Sequence, residues 1–175
     1  MGREDLQQIQ LKIGAIVKDL WQVCRKLGEG GCGVVYEVVN IKNPNSHAAM
    51  KIEPFGMLKD DEMLKMEVYV LKKMQNSKHA CKLLLSGKAK DYFFMIMSLL
   101  GKSLGELRRA CPDQRFTLST SIRLAMQCLE AIEEIHDAGF IHRDIKPSNF
   151  ALGRNRMKRN VYLLDFGLAR QYKVR

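Results

Sequence analysis

His142-Arg143-Asp144-Ile145-Lys146-Pro147-Ser148-Asn149, with the Asp165-Phe166-Gly167 that closes the loop it opens, is the stretch that decides the fold. A His-Arg-Asp triplet alone carries little information. Here a lysine follows Asp144 by two residues and an asparagine by five. A second acid then comes directly after an apolar run, Val161-Tyr162-Leu163-Leu164. The two motifs offer a carboxylate (Asp144), a cation (Lys146) and two hard oxygen ligands (Asn149 and Asp165). Oxygen donors of this kind suit magnesium. The plainer alternative is a polar turn between two strands, whose Asp and Asn cap backbone groups. It explains either motif, but not both in this order.

Working outward, Leu27-Gly28-Glu29-Gly30-Gly31-Cys32-Gly33-Val34-Val35 contains a G-x-G-x-x-G. A dinucleotide-binding fold requires a helix directly after such glycines. The residues that follow, Val34 to Val39, are rich in β-branched side chains and read as a strand. Trp21-Gln22-Val23-Cys24 alternates on the other side. Strand on both sides makes the loop a hairpin over phosphates, not a helix N-terminus under them. Glycine lets the backbone come close without a side-chain clash. Cys32 falls at the loop tip, as a small filler or as an accessible thiol.

Residues 42–47 are turn formers, and Ala48-Ala49-Met50-Lys51-Ile52 is a short strand whose lysine is flanked by apolar residues. Residues 60–75 read as a helix with Met63, Glu67, Val70, Leu71 and Met74 on one face. Glu67 therefore points into apolar surroundings. A buried carboxylate without a partner costs several kcal/mol, so it should have a cation, and Lys51 is the natural candidate. Tyr92-Phe93-Phe94-Met95-Ile96-Met97 is a buried strand, followed by the connector Ser98-Leu99-Leu100-Gly101. Ser103 can N-cap a brief helix through Ala110. Residues 119–138 give the strongest helical pattern, with Ile122, Ala125, Leu129, Ile132 and His136 in one stripe and Gly139 as terminator. His47, His79 and His136 read as structural or exposed.

At 175 residues, 46% hydrophobic and with 4 prolines, the chain can build a core. No apolar run of about 18 residues is present to span a membrane. Nor is there an apolar signal segment near the start, and Leu6 stands where a myristoylation site needs Ser or Thr. Five cysteines without a C-x-x-C pair argue for reduced thiols, for a cytoplasmic or nuclear setting and against zinc. The net charge of +10 is compatible with nucleic acid, an anionic membrane surface or an acidic protein partner. It is densest at Arg154, Arg156, Lys158 and Arg159. A solvated loop is the bland account of that patch.

Taken together, residues 14–175 resemble a eukaryotic protein kinase of the casein kinase I superfamily. "LKMEVYVLKKM", "SIRLAMQCLEAIEEIHDAGFIHRDIKPSNFALGR" and "LLDFGLARQY" are most similar to the tau-tubulin kinase branch. The pattern Lys146-Pro147-Ser148-Asn149-Phe150 and the long insert before Asp165 are characteristic of the superfamily. The resemblance implies an α+β, two-lobed fold: a small antiparallel β-sheet lobe plus one helix, followed by an incomplete helical lobe. Residues 1–20 would be a loosely packed leader and 21–175 a partial kinase domain. Within it, 21–100 would form the small lobe and hinge, and 101–175 the start of the large lobe.

The resemblance further implies ATP with Mg2+ as phosphoryl donor and protein Ser/Thr hydroxyls as acceptors. Asp144 would orient the hydroxyl, and Lys146, of the serine/threonine type, would stabilise the transferred phosphoryl. Glu67 would hold Lys51 against the α- and β-phosphates, and Asn149 with Asp165 would bind the metal. Leu27, Gly28, Glu29, Gly30, Gly31, Cys32, Gly33, Val34 and Val35 would cover the nucleotide. Ala49, the gatekeeper Met97, Leu99, Leu100 and Ala151 would surround its base. Leu71, His142 and Phe166 would stack into a spine between the lobes.

Protein substrates, among them acidic, phosphorylated or cytoskeletal ones, are the implied partners. Nucleic acid and membrane are not expected, and the oligomeric state is open. The chain ends at Arg175, eight residues past Gly167. The expectation is a fragment, a truncated isoform or a degenerate product that does not work as a kinase on its own. Two functions stay open: an active kinase or its first part, and a nucleotide-binding pseudokinase or interaction module without turnover.

Overall fold

The computed structural model describes residues 9–30, 33–55 and 63–172. Gly31 and Cys32, the first residues expected for the helix at 60–75, and the first eight of the expected leader lie outside the described residues.

Six strands form one antiparallel sheet: β1 (Ile16–Val17), β2 (Trp21–Gly30), β3 (Gly33–Asn40), β4 (Asn43–Pro54), β5 (Leu83–Lys88) and β6 (Tyr92–Ser98). Their spatial order is β1-β2-β3-β4-β6-β5. The pleat sends alternate residues to opposite faces. Val34, Tyr36, Val38, Ala48, Met50 and Ile52 pack on one face with Val17, Trp21 and Phe94. On the other face, Lys51 pairs across the strands with Val35 and Met95, and Ala49 pairs with Met97. That second face looks towards helix α1 (Met63–Lys73) and the rest of the molecule.

Two segments differ from the reading of the sequence. Residues 9–20 are not loosely attached. Val17 pairs with Trp21 across the three residues Lys18 to Leu20, with Lys18 and Asp19 both at positive φ (52° and 53°) and the Leu20 N–H donating to the Val17 carbonyl at 3.3 Å. Leu11 donates its N–H to the Tyr36 hydroxyl at 3.0 Å, fastening the start of this segment to β3. Residues 43–47 are strand, and the turn is confined to Ile41 and Lys42. Asn40 Oδ1 accepts the Lys42 N–H at 2.9 Å, so a side chain closes the turn and lets β4 pair from Asn43 onward.

Helix α1 buries Leu64, Glu67, Val70 and Leu71. Its first turn is capped from β4, where Glu53 Oε2 accepts the Leu64 N–H at 3.0 Å. The second lobe contains α2 (Leu104–Ala110), α3 (Leu118–Asp137) and the short strands β7 (Phe140–Ile141), β8 (Phe150–Leu152), β9 (Val161–Leu163) and β10 (Arg170–Gln171). Ser103 caps α2 through a capping box with Glu106, and Thr117 caps α3. Strand β7 pairs with β10, and β8 with β9.

Ala131 and Ile135 are the buried residues of α3, with Leu124, Cys128 and Ile132 packed beside them. The stripe expected at Ile122, Ala125 and Leu129 is exposed. Both rows satisfy the same i, i+3, i+4 spacing, so periodicity could not say which one faces the core. No described helix is long and apolar enough to cross a membrane.

Candidate active site

A cleft of about 640 Å³ lies between the sheet and the second lobe. From above it is walled by Leu27, Gly30, Gly33, Val35 and Ala49, and at the back by Lys51 and Glu67. Met97, Leu99 and Leu100 form its side, and Asp144, Lys146, Asn149 and Asp165 its floor. Residues 51, 67, 144 and 165, far apart in the chain, thus meet in one place.

The upper network is built on the Lys51–Glu67 pair. The Lys51 ammonium lies 2.6 Å from Glu67 Oε2 and 3.1 Å from Asp165 Oδ1. Burial opposes the charge on Lys51, but the two carboxylates outweigh it and hold its pKa above the ordinary lysine value. Burial acts the other way on Glu67 and raises its pKa, against the pull of Lys51 and a hydrogen bond from the Phe166 backbone. The lysine is therefore a fixed cation at the back of the cleft.

The lower network is built on Asp144. Its Oδ2 accepts from Lys146 Nζ at 2.7 Å and from Asn149 Nδ2 at 2.9 Å. The lysine, followed by Asn149, holds this carboxyl below the usual aspartate range despite some desolvation. Asn149 Nδ2 also donates to the Asp144 carbonyl at 2.9 Å. With its amide nitrogen committed to Asp144, Asn149 keeps its carbonyl oxygen as an acceptor.

The scaffold beneath is the buried His142. Its Nδ1 accepts the Asp144 N–H at 3.2 Å, so its Nε2 carries the proton and donates to the Leu164 carbonyl at 2.9 Å. One imidazole thus ties the turn bearing Asp144 to the turn bearing Asp165. The His142 ring meets the Phe166 ring edge-on, with centroids 5.5 Å apart, and Phe166 shares a core cluster with Leu71. Arg143 (φ 67°) and Asp165 (φ 63°) both adopt left-handed backbone. Such backbone costs of order 1–3 kcal/mol and persists only where the surroundings enforce it. Arg143 Nε donates to the Leu168 carbonyl at 2.6 Å, which supplies part of that restraint.

Some predicted residues stand elsewhere. Val34 is buried on the opposite face of the sheet, because the pleat turns it away from Val35. Gly28 and Glu29 lie in β2 off the cleft wall, with Glu29 ion-paired to Lys26. Ala151 is buried in β8, paired with Tyr162 and bridged to Ser103, and is not among the residues that line the cleft. Gly31 and Cys32 fall outside the described residues. Ser98, Gly101, Ser148, Leu164 and Leu168 do line the cleft. Their signal in the sequence was only adjacency to the motifs.

A twisted antiparallel sheet with one helix, joined by a single connector to a helical lobe and enclosing this cleft, defines a protein-kinase fold. Residues 21–175 match the protein kinase domain, and the chain belongs to that family. It is 42% identical over 168 residues to a protein of Dictyostelium discoideum named as a serine/threonine-protein kinase, covering 95% of this chain and 33% of that one. A Caenorhabditis elegans protein named as a serine/threonine-protein kinase is 41% identical over 170 residues, covering 96% of this chain and 49% of that one. A second from the same organism, named as a casein kinase I, is 37% identical over 178 residues, covering 99% and 51%. The chain thus spans between a third and about half the length of these curated relatives.

Proposed function

We propose that the chain carries the nucleotide-binding cleft and catalytic loop of a serine/threonine protein kinase of casein kinase I type, similar to the tau-tubulin kinase branch. The observation that carries this reading is the pair of adjoining networks, Lys51–Glu67–Asp165 above and Asp144–Lys146–Asn149 below, around one cleft.

The donor set fits ATP with Mg2+. Asn149, through its side-chain carbonyl oxygen, and Asp165, through its carboxylate, offer two hard oxygen ligands, and magnesium is held by few protein oxygens alongside phosphates. When bound, Mg-ATP supplies the transferable phosphoryl group. The apolar walls of Val35, Ala49, Met97 and Leu99 suit a flat heteroaromatic base. The Leu99–Leu100 backbone, which makes no internal hydrogen bond among the described residues, can address its polar edge.

Lys51 presents a permanent positive charge to phosphate oxygens. Asp144, a weak base beside Lys146, orients an acceptor hydroxyl and takes its proton late. Lys146 offers its ammonium to the group in transfer. The acceptors would be protein Ser/Thr side chains, in acidic, phosphorylated or cytoskeletal substrates.

Calorimetry tests the nucleotide reading on the chain as it stands. ATP should bind more tightly with magnesium than without. Asp165→Asn should remove that enhancement and leave adenosine binding unchanged. Equal ATP affinity with and without magnesium in the parent chain would overturn the assignment.

A further inference from the structure

The connector at residues 98–100 borders more than the cleft. Beside it lies a groove of about 470 Å³, which shares Ser98, Leu99 and Leu100 with the cleft but is otherwise lined by different residues. Its base is apolar, formed by Leu99, Leu100 and Tyr162, and its rim is cationic, formed by Lys78, Lys82 and Arg154. Leu84 and Met157, both about half exposed, flank it.

No carboxylate lines this groove among the described residues. The acids nearby already have partners, two of them at the groove's edge: Glu37 with Arg25 and the groove-lining His47, Glu134 with the groove-lining Ser77, and Glu130 with His79. Among the described residues no ion pair reaches Lys78, Lys82 or Arg154, although Lys82 Nζ donates to the Gln75 carbonyl. The groove is thus a positive rim around an apolar base, with no internal counter-charge.

Its walls are also held in place. Gly153 packs so tightly that a Cβ there would lie 2.3 Å from the Met157 carbonyl oxygen. Gly153 N–H donates to Asn160 O at 2.9 Å, and Gln127 on α3 bonds both the Arg159 carbonyl and the Val161 N–H. On the other side, Ser98 N–H donates to Lys82 O at 3.0 Å, and Lys82 N–H returns a bond to Ser98 Oγ at 3.1 Å. A groove fixed in this way loses little freedom when it is filled.

We infer that this groove is a docking site for an acidic peptide segment that seats an apolar side chain between Leu99, Leu100 and Tyr162. The charge alone would accept any polyanion. The apolar base decides for a peptide, since single-stranded nucleic acid binds through aromatic platforms on which bases stack. Of the two rings that line the groove, Tyr162 is buried at 9% exposure and the His47 imidazole is tied to Glu37 at 2.8 Å, so neither offers a free stacking platform. The site stands apart from phosphoryl transfer and does not rest on the kinase activity proposed above.

The test is fluorescence anisotropy on the full 175-residue chain, with a fluorescein-labelled Glu-Asp-Glu-Leu-Asp-Leu-Glu-Asp peptide as probe. The probe should bind, weaken as salt rises, and remain bound under saturating adenosine. Replacing its two leucines with glycine, or its acids with Gln and Asn, should cost at least tenfold in affinity. The combined variant Lys78→Ser, Lys82→Ser, Arg154→Ser should lose at least tenfold, and Leu84→Gln a smaller factor, with unchanged thermal melts. These are exposed side chains outside the catalytic networks. Displacement by adenosine, equal binding to the triple variant, or an oligouridylate bound as tightly as the peptide would each overturn the proposal. Loss of ATP binding with peptide binding intact would count against the cleft assignment alone.

Discussion

Lys51 and Glu67 hold each other in a place where neither could stand alone. Removing the ammonium leaves a fully buried carboxylate with only the Phe166 backbone hydrogen bond for compensation. Breaking a buried pair on one side typically costs about 3–5 kcal/mol, whereas replacing both partners with apolar groups is often nearly neutral. Lys51→Met should therefore lower unfolding stability by about that amount in urea melts, and Lys51→Met with Glu67→Leu should recover most of it. A single substitution costing under about 1 kcal/mol would show that Glu67 does not depend on the lysine. This pair was legible in the sequence, because desolvation demands a partner for a carboxylate on an apolar helix face. The third member, Asp165, was placed only in the magnesium site, since nothing local in the sequence reveals a contact across 114 residues. The opposite facing of Val34 and Val35 follows from the pleat of the strand that the β-branched run identified as β3.

The hairpin of β2 and β3 shows how one glycine pattern hides different duties. Gly33 has φ +116°, and a Cβ there would lie 2.0 Å from the Ile52 carbonyl oxygen on β4. Gly28 and Gly30 have open space where a Cβ would go. Gly33 is thus required by the approach of two strands, in addition to any approach to phosphate. Gly33→Ala should destabilise the chain by at least the roughly 1–3 kcal/mol of a strained backbone. Gly28→Ala and Gly30→Ala should stay within about 0.5 kcal/mol, as surface changes usually do. Thermal melts of the three variants decide this, and equal losses at all three positions would refute it. The sequence identified the loop, since glycines between β-branched runs have few other uses. It could not rank the glycines, because rank depends on the register with β4. The same limit hid the β1–β2 hairpin: Lys18-Asp19 lacks the Asn-Gly or Asp-Gly signature, although both residues take the left-handed backbone.

The two lobes themselves were legible in outline, since strands crowd into the first hundred residues and the long helix falls after them. The packing face of that helix was not, and this bears on how the chain behaves in water. Along α3, Leu118, Ile122, Met126 and Leu129 are 77%, 53%, 59% and 68% exposed, while Ile135 is fully buried. An uncovered apolar row of this kind favours association between molecules. It contributes nothing to the core, so the two faces of one helix should respond oppositely to substitution. Ile122→Gln, Met126→Gln and Leu129→Gln together should shift the 175-residue chain towards the monomer in sedimentation velocity, at no more than about 0.5 kcal/mol per site. Ile135→Ala should cost about 2–5 kcal/mol, the usual range for emptying a buried aliphatic site, and should not improve solubility. A triple-glutamine chain that unfolds at markedly lower urea concentration would mean that this row is packed in solution, and would reverse the assignment of the two faces.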